Sequence, residues 1–312
     1  AMTVPAPSNN DALPEMYRNR IRVREQPGQL AQILGGTQET EAAVQAALAW
    51  LASIQNADGR FHAKAHGGGA QQFVEGEDRK GAGMHADAGV TALALLAFLG
   101  DGSTMRSGPY KDNVKQAVKW LRKQQGDNGL FGTNASHDFI YDHAIAAYAM
   151  AEAYGLSDYK LLKRYAQNGL NYLESHRNPY SVWRYQPRDN DNDTSVTGWA
   201  VMAYESGKYF GLTVNENALK LCETWFDSVT DPTGRCGYSK MGEPSSRHPG
   251  DHGTRFPVEK GEDLTAVGLF CRFFMGQDPK EVEVMTAAAN LILTKPPIWD
   301  DSPPMRSPTY AR

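Results

Sequence analysis

Residues 188–199 read RDNDNDTSVTGW, with Asp189, Asp191 and Asp193 set among Asn190 and Asn192 ahead of an apolar segment. Three chemistries suit that pattern. A carboxylic acid kept protonated by its surroundings can donate a proton. Clustered Asp and Asn oxygens can bind Ca²⁺, although the Gly and distal Glu of an EF-hand loop are absent. An Asp directly before a helix accepts hydrogen bonds from the open amides of the first turn. Asp193 stands where the helix should begin, so capping is its first role. A second role stays open, and Asp191 and Asp193 are the candidate catalytic acids.

Histidines form the second group. All eight fall in or beside long loops: His62, His66, His85, His137, His143, His176, His248 and His252. His62 and His66, and His248 and His252 with Asp251 beside them, have chelate spacing for Zn²⁺ if helical, but both pairs sit in Gly- or Pro-containing loops. A divalent cation, Ca²⁺ or Zn²⁺, is the one cofactor these residues suggest, and none is required. Trp183, Arg184 and Tyr185 can stack on a sugar or a polyene, or pack at a junction between repeats. The triple glycine at 67–69 is not a phosphate loop, because no Lys-Ser/Thr and helix follow it.

Helices must position these groups. Four segments read alike, beginning at Asp87, Asp142, Asp193 and Asp263 and ending at Gly100, Gly155, Gly207 and Gly276. Each is apolar on nearly all sides, which predicts burial on all sides, with Asp as N-cap and Gly as left-handed terminator. Between them lie amphipathic helices such as 39–55, with Val44, Leu48 and Leu51 on one stripe, and 112–125, with Val114, Val118 and Leu121. Exposed and buried helices thus alternate about every 55 to 70 residues. Such alternation closes best into an all-α, α/α toroid spanning 37–295. Residues 1–36 form an N-terminal arm with a short helix, and 296–312 form a proline-rich tail. Four pairs and an unpaired fifth outer helix leave the ring incomplete unless the arm closes it. The long outer-to-inner connections then share one end of the ring. Asp87, Asp142, Asp263 and His143 join Trp183, Arg184 and Tyr185 there as candidate binding residues, around the positive ends of the inner helices.

Composition narrows the partners. The 312 residues are 41% hydrophobic and 22% charged, with a net charge of −4 and no long basic run, so nucleic acid is not indicated. The longest apolar stretch, 89–100, is too short to span a bilayer. The three cysteines, Cys222, Cys236 and Cys271, read as two buried thiols and one loop thiol.

The ends of the outer helices carry a resemblance. WLASIQNADGRF (50–61) and WLRKQQGDNGLFG (120–132) set an aromatic residue, Gln, Gly and a second aromatic in order. YLESHRNPYSVWRY (172–185) and WFDSVTDPTGRCGY (225–238) keep the frame without Gln. These are similar to the QW-type repeats of the squalene-hopene cyclase and protein prenyltransferase superfamily, over residues 39–293. The nearest relatives this implies are bacterial repeat proteins without assigned activity. The opening AMTVPAPSNN reads as a cloning remnant on an excised soluble domain, from which an upstream signal or anchor could have been removed.

The superfamily's motifs map unevenly. Laid on this chain, the cyclase DxDD-T motif places its last Asp on Asp193 and its Thr on Thr194, but its proton donor on Asn192, an amide; Asp191 is the nearest substitute. The D-x-C zinc pair of the prenyltransferases falls on Asp193 and Ser195, a hydroxyl in place of a thiolate. Cys236 lacks the Gln that an internal thioester needs. Three functions follow. The missing donor acid and zinc Cys favour a binding or scaffold module that holds a protein or glycan on its loop face. The resemblance supports a terpenoid or isoprenoid cyclase or transferase with an apolar isoprenoid ligand. The toroid also suits a polysaccharide lyase or glycosidase, with Tyr141, His137, His143 and Arg184 as its set. Fold alone does not choose among them.

Overall fold

The computed structural model describes residues 35–70, 73–74, 77–78, 81–136, 139–243 and 261–295. Most of the expected N-terminal arm, the tail, His137, His248, Asp251 and His252 lie outside the described residues. The described helices are α1 (Gln38–Ile54), α2 (Asp87–Gly100), α3 (Lys111–Gln124), α4 (Phe139–Ser157), α5 (Lys163–His176), α6 (Thr194–Tyr209), α7 (Glu216–Val229), α8 (Asp263–Phe274) and α9 (Glu283–Leu293). Two 3₁₀ turns and one small hairpin, Phe73–Val74 with Glu77–Asp78, are added in the loops. The fold is all-α, as the apolar periodicities require.

The apolar helices form an inner row: α2 packs on α4, α4 on α6 and α6 on α8. Their starts lie together. Asp142 of α4 sits over Gly89 of α2, where a Cβ would come within 2.3 Å of its Oδ1, and Tyr141 of α4 bonds Ser195 of α6. Their far ends also meet, with Phe210 packed on Gly155. The amphipathic helices flank the row, α3 on α2 and α4, α5 on α4 and α6, α7 on α6, and α9 on α8. No residue of α4 is exposed. At the ends of the row α2 exposes Leu93, and α8 exposes Phe270 and Phe273. The expectation of burial on every side therefore holds in the middle of the row only, because an end helix has one inner neighbour. The same reason leaves Val44 of α1 exposed, with Leu48 as that helix's one fully buried residue.

The caps need correction. Asp193 is an N-cap, its side chain accepting from Val196 N. Asp87 and Asp263 are the first residues of their helices, and Asp142 lies inside the first turn of α4. Gly155 and Gly207 lie inside α4 and α6, where Phe210 and Leu170 occupy the space a Cβ would need. Left-handed residues end three of these helices later than expected, at Gly102, Asp158 and Gly211, while Gly276 is the left-handed terminator expected after α8. All three cysteines are buried, including Cys236 in its loop.

The recurring loop sequence has a recurring structure. Gln55 donates to Gly59 O and to Asn113 O at the start of the next outer helix, and Gln125 donates to Gly129 O and Tyr165 O in the same way. In the third repeat Arg177 stands in for Gln. It reaches Ser181 O and holds Glu174, which accepts from Asn215 at the start of α7. In the fourth, Thr230 turns back to Phe226 O and the bridge is lost. Gly129 has φ +91°, and an added Cβ would lie 2.3 Å from Asn168 O on α5. Replacing Gly129 by alanine adds left-handed strain and a backbone clash, and is expected to destabilise the protein by about 2 kcal/mol. Urea denaturation checks this; an unchanged midpoint would mean that the loop does not press on α5.

Candidate functional site

A second recurring bond ties each loop to the inner row. Just past each loop turn an amide donates to an inner-helix side chain: Phe61 N to Thr91 Oγ1, Phe131 N to His143 Nδ1, Trp183 N to Thr197 Oγ1, and Cys236 N to Thr265 Oγ1. His143 thus does the work of a threonine. Its Nδ1 accepts and its Nε2 donates to Gly169 O, so the ring is the neutral Nε2–H tautomer. Burial pushes its pKa down to about 3. Trp183 is equally buried, its Nε1 donating to Leu173 O. Both expected binding residues belong to the core and have no face open to a ligand. His176 is also buried, with Nε2 on Arg184 O.

Around the start of α6 the expected residues do converge. Asp193 is fully buried. Its Oδ1 accepts from Val196 N at 2.8 Å and Ser195 Oγ at 2.9 Å, and its Oδ2 faces Tyr238 OH at 3.3 Å and Arg184 Nε at 3.6 Å. Desolvation outweighs these partners and holds the carboxyl above its ordinary range. The Arg184 guanidinium lies 5.4 Å from the ring centres of both Tyr185 and Tyr238, and its Nη1 meets Asp191 Oδ2 at 2.5 Å. Tyr185 OH and Tyr238 OH are 2.7 Å apart, and Tyr141 OH and Ser195 Oγ 2.5 Å. Burial pushes the Tyr141 and Tyr238 phenols up, with the Asp193 charge adding to it. This is a charge pair capped by tyrosines. Asp193 positions the others from beneath, and Asp191, 56% exposed, is the carboxylate that solvent reaches.

The alternating Asp and Asn residues mostly build their own loop. Asp189 Oδ1 accepts from Asp191 N, and Asp191 Oδ1 from Asn192 N. Asn192 Oδ1 accepts from Val182 N and Asn178 Nδ2. Asn178, which sequence reasoning missed, also accepts from Asn190 N and donates to Asp191 O. Among the described residues no three His, Cys, Asp or Glu side chains converge as metal ligands would.

The other expected residues lie along the same end. Asp87, at the start of α2, clamps the preceding loop: Oδ1 accepts from Ala63 N at 2.8 Å and faces His62 Nδ1 at 3.1 Å, while Oδ2 holds Arg60 Nη1 at 3.0 Å. A cleft of about 450 Å³ opens beside it, lined by Arg60, Lys64, His85, Trp120, Gln124 and Thr133 among others. At α8 the expected Asp263 is exposed, and the missed Glu262 takes the buried position, bidentate to Arg235 through Oε1 on Nη2 at 2.7 Å and Oε2 on Nε at 3.3 Å, with Oε2 also accepting from Thr265. Three inner helices therefore begin at an arginine–carboxylate pair. The sequence signal for it was an Arg next to each loop aromatic or cysteine: Arg60, Arg184 and Arg235.

No family model, curated protein or solved structure matches this chain. Among the described residues no helix is long and apolar enough to cross a membrane.

Proposed function

We propose that the protein is a binding module whose docking surface is the end where the inner helices begin, and that its ligand is a glycan. On this reading the inner row is an arc of an α/α toroid of the squalene-hopene cyclase type, used as a rigid scaffold for loops. The observation that carries the reading is the cleft beside Asp87. Its lining offers both signs of charge together with imidazole, amide and hydroxyl groups and the largely buried Trp120. Sugar hydroxyls both donate and accept, so they suit such a mixed lining better than an apolar ligand does. The inner helices bury their apolar side chains in one shared core.

A glycan microarray probed with the purified protein, followed by calorimetry on the best ligand, tests this. The double variant His85→Ala, Gln124→Ala should bind at least about tenfold more weakly, the equivalent of one or two lost hydrogen bonds. One observation favours the isoprenoid alternative: burial raises the Asp193 carboxyl above its ordinary range, which favours the protonated form that a general acid needs. A blank array, together with an isoprenoid mass in the organic extract of the purified protein, would replace the glycan reading with that one.

A further inference from the structure

A second cleft lies on the outer side of the fold, where the end of α3 meets the start of α5. Its volume is about 660 Å³, and Arg122, Lys160, Lys163, Arg164, Tyr165 and Asn168 are among its lining residues. The lining carries four cations and no acid. Among the described residues none of the four cations forms an ion pair with a carboxylate, although this protein is acidic overall. Arg122 Nε is buried without a hydrogen-bond partner. The two guanidinium groups bracket Tyr165, each 4.6 Å from its ring centre, and both donate to its hydroxyl, at 2.6 Å from Arg164 and 3.3 Å from Arg122. They draw the Tyr165 phenol below its ordinary range.

The setting raises the cost of this charge. Lys163 and Arg164 open α5, which has no acidic residue in its first turn and no side-chain cap. Cations at the positive end of a helix are destabilising, and four gathered in one cleft repel one another. A multiply charged anion relieves both terms. Arginine forks match the oxygens of phosphate, and lysines add point charge around them.

We propose that this cleft is a binding site for a small phosphate or diphosphate compound, separate from the loop face and independent of the glycan reading. Tyr165 is already covered by the two guanidinium groups, so recognition rests on the charged group and not on stacking. The chemistry is shared by free phosphates and by the phosphate groups of anionic lipids, and the experiment separates the two.

The test is calorimetric titration of the whole protein with inorganic pyrophosphate and with inorganic phosphate at low ionic strength. Sodium chloride at matched ionic strength is the control, and co-sedimentation with phosphatidylglycerol vesicles is a parallel arm. Saturable pyrophosphate binding is expected, tighter than phosphate, and weakened at least about tenfold in Arg122→Ala, Arg164→Ala. The exposed pair Lys160→Ala, Lys163→Ala should weaken it too, without disturbing the Tyr165 bracket. Thermal unfolding should shift upward with pyrophosphate in the wild type and less in both variants. No saturable binding, or the same binding in both double variants, would overturn the proposal. So would vesicle binding without pyrophosphate binding, which would assign the patch to a lipid surface.

Discussion

Replacing Asp193 by alanine is expected to lower the unfolding free energy by about 4 kcal/mol, measured by urea denaturation at pH 7. The substitution removes the N-cap bond to Val196 and leaves Ser195 Oγ and Tyr238 OH without the acceptor they face. It also takes one of the two carboxylates from Arg184. Asp193→Asn separates the parts of this loss. An amide keeps a cap oxygen and the space, so it should cost about 1 to 2 kcal/mol. The pH dependence distinguishes the same two roles. The folded-state pKa of Asp193 is raised, so the protonation-linked part of its contribution is present below the unfolded pKa and is lost as pH rises through the folded value, while the cap bond persists at pH 7. The Asn variant should lack that slope. Equal losses in the Ala and Asn variants would mean that the charge, and not the cap, holds this corner.

Acid should act through His143 in the opposite sense. The ring is neutral in the fold with a pKa of about 3, while an unfolded histidine binds a proton near 6.5. Between those values the unfolded chain binds more protons, so stability is full above about pH 6.5 and falls as pH drops towards 3. At pH 4 the loss from this residue is about 3 kcal/mol. His176, whose pKa burial also lowers, adds to the same trend. Unfolding free energies from pH 7 to 4 for the wild type and for His143→Gln give the measurement. The variant loses the ring that must stay neutral, so the gap between the two proteins should close on acidification. A constant gap would mean that His143 is not held neutral in the core.

Both residues show where sequence reasoning reached and where it stopped. Asp193 was legible because an N-cap is a local event: an acid before an apolar helix meets that helix's own amides. Asp87 and Asp263 carry the same local signal, yet neither caps. Their loops return over the helix starts and supply other partners, Arg60 and Ala63 for Asp87, while Glu262 displaces Asp263 from the buried position. His143 looked like a loop-face ligand from its neighbours in sequence. It is a core acceptor because the chain turns Phe131 N onto it, and a threonine does that work in the other three repeats. The cation cleft was invisible for a related reason: Arg122 and Arg164 belong to different outer helices and meet only where the fold brings the end of α3 to the start of α5.

By itself the sequence determined the helices, their alternation between buried and half-exposed, and the recurring order of aromatic, Gln and Gly residues in the loops after the outer helices. Those follow from apolar periodicity and from residues a few positions apart, which any chain with this pattern must satisfy. The tertiary structure decided which polar groups meet: the Arg184 pair with Asp191 and Asp193, the Arg235 pair with Glu262, the neutral state of His143, and the two clefts. Burial of charge is settled by neighbours distant in sequence, because the cost of removing an ion from water depends on whatever partners the packing brings to it.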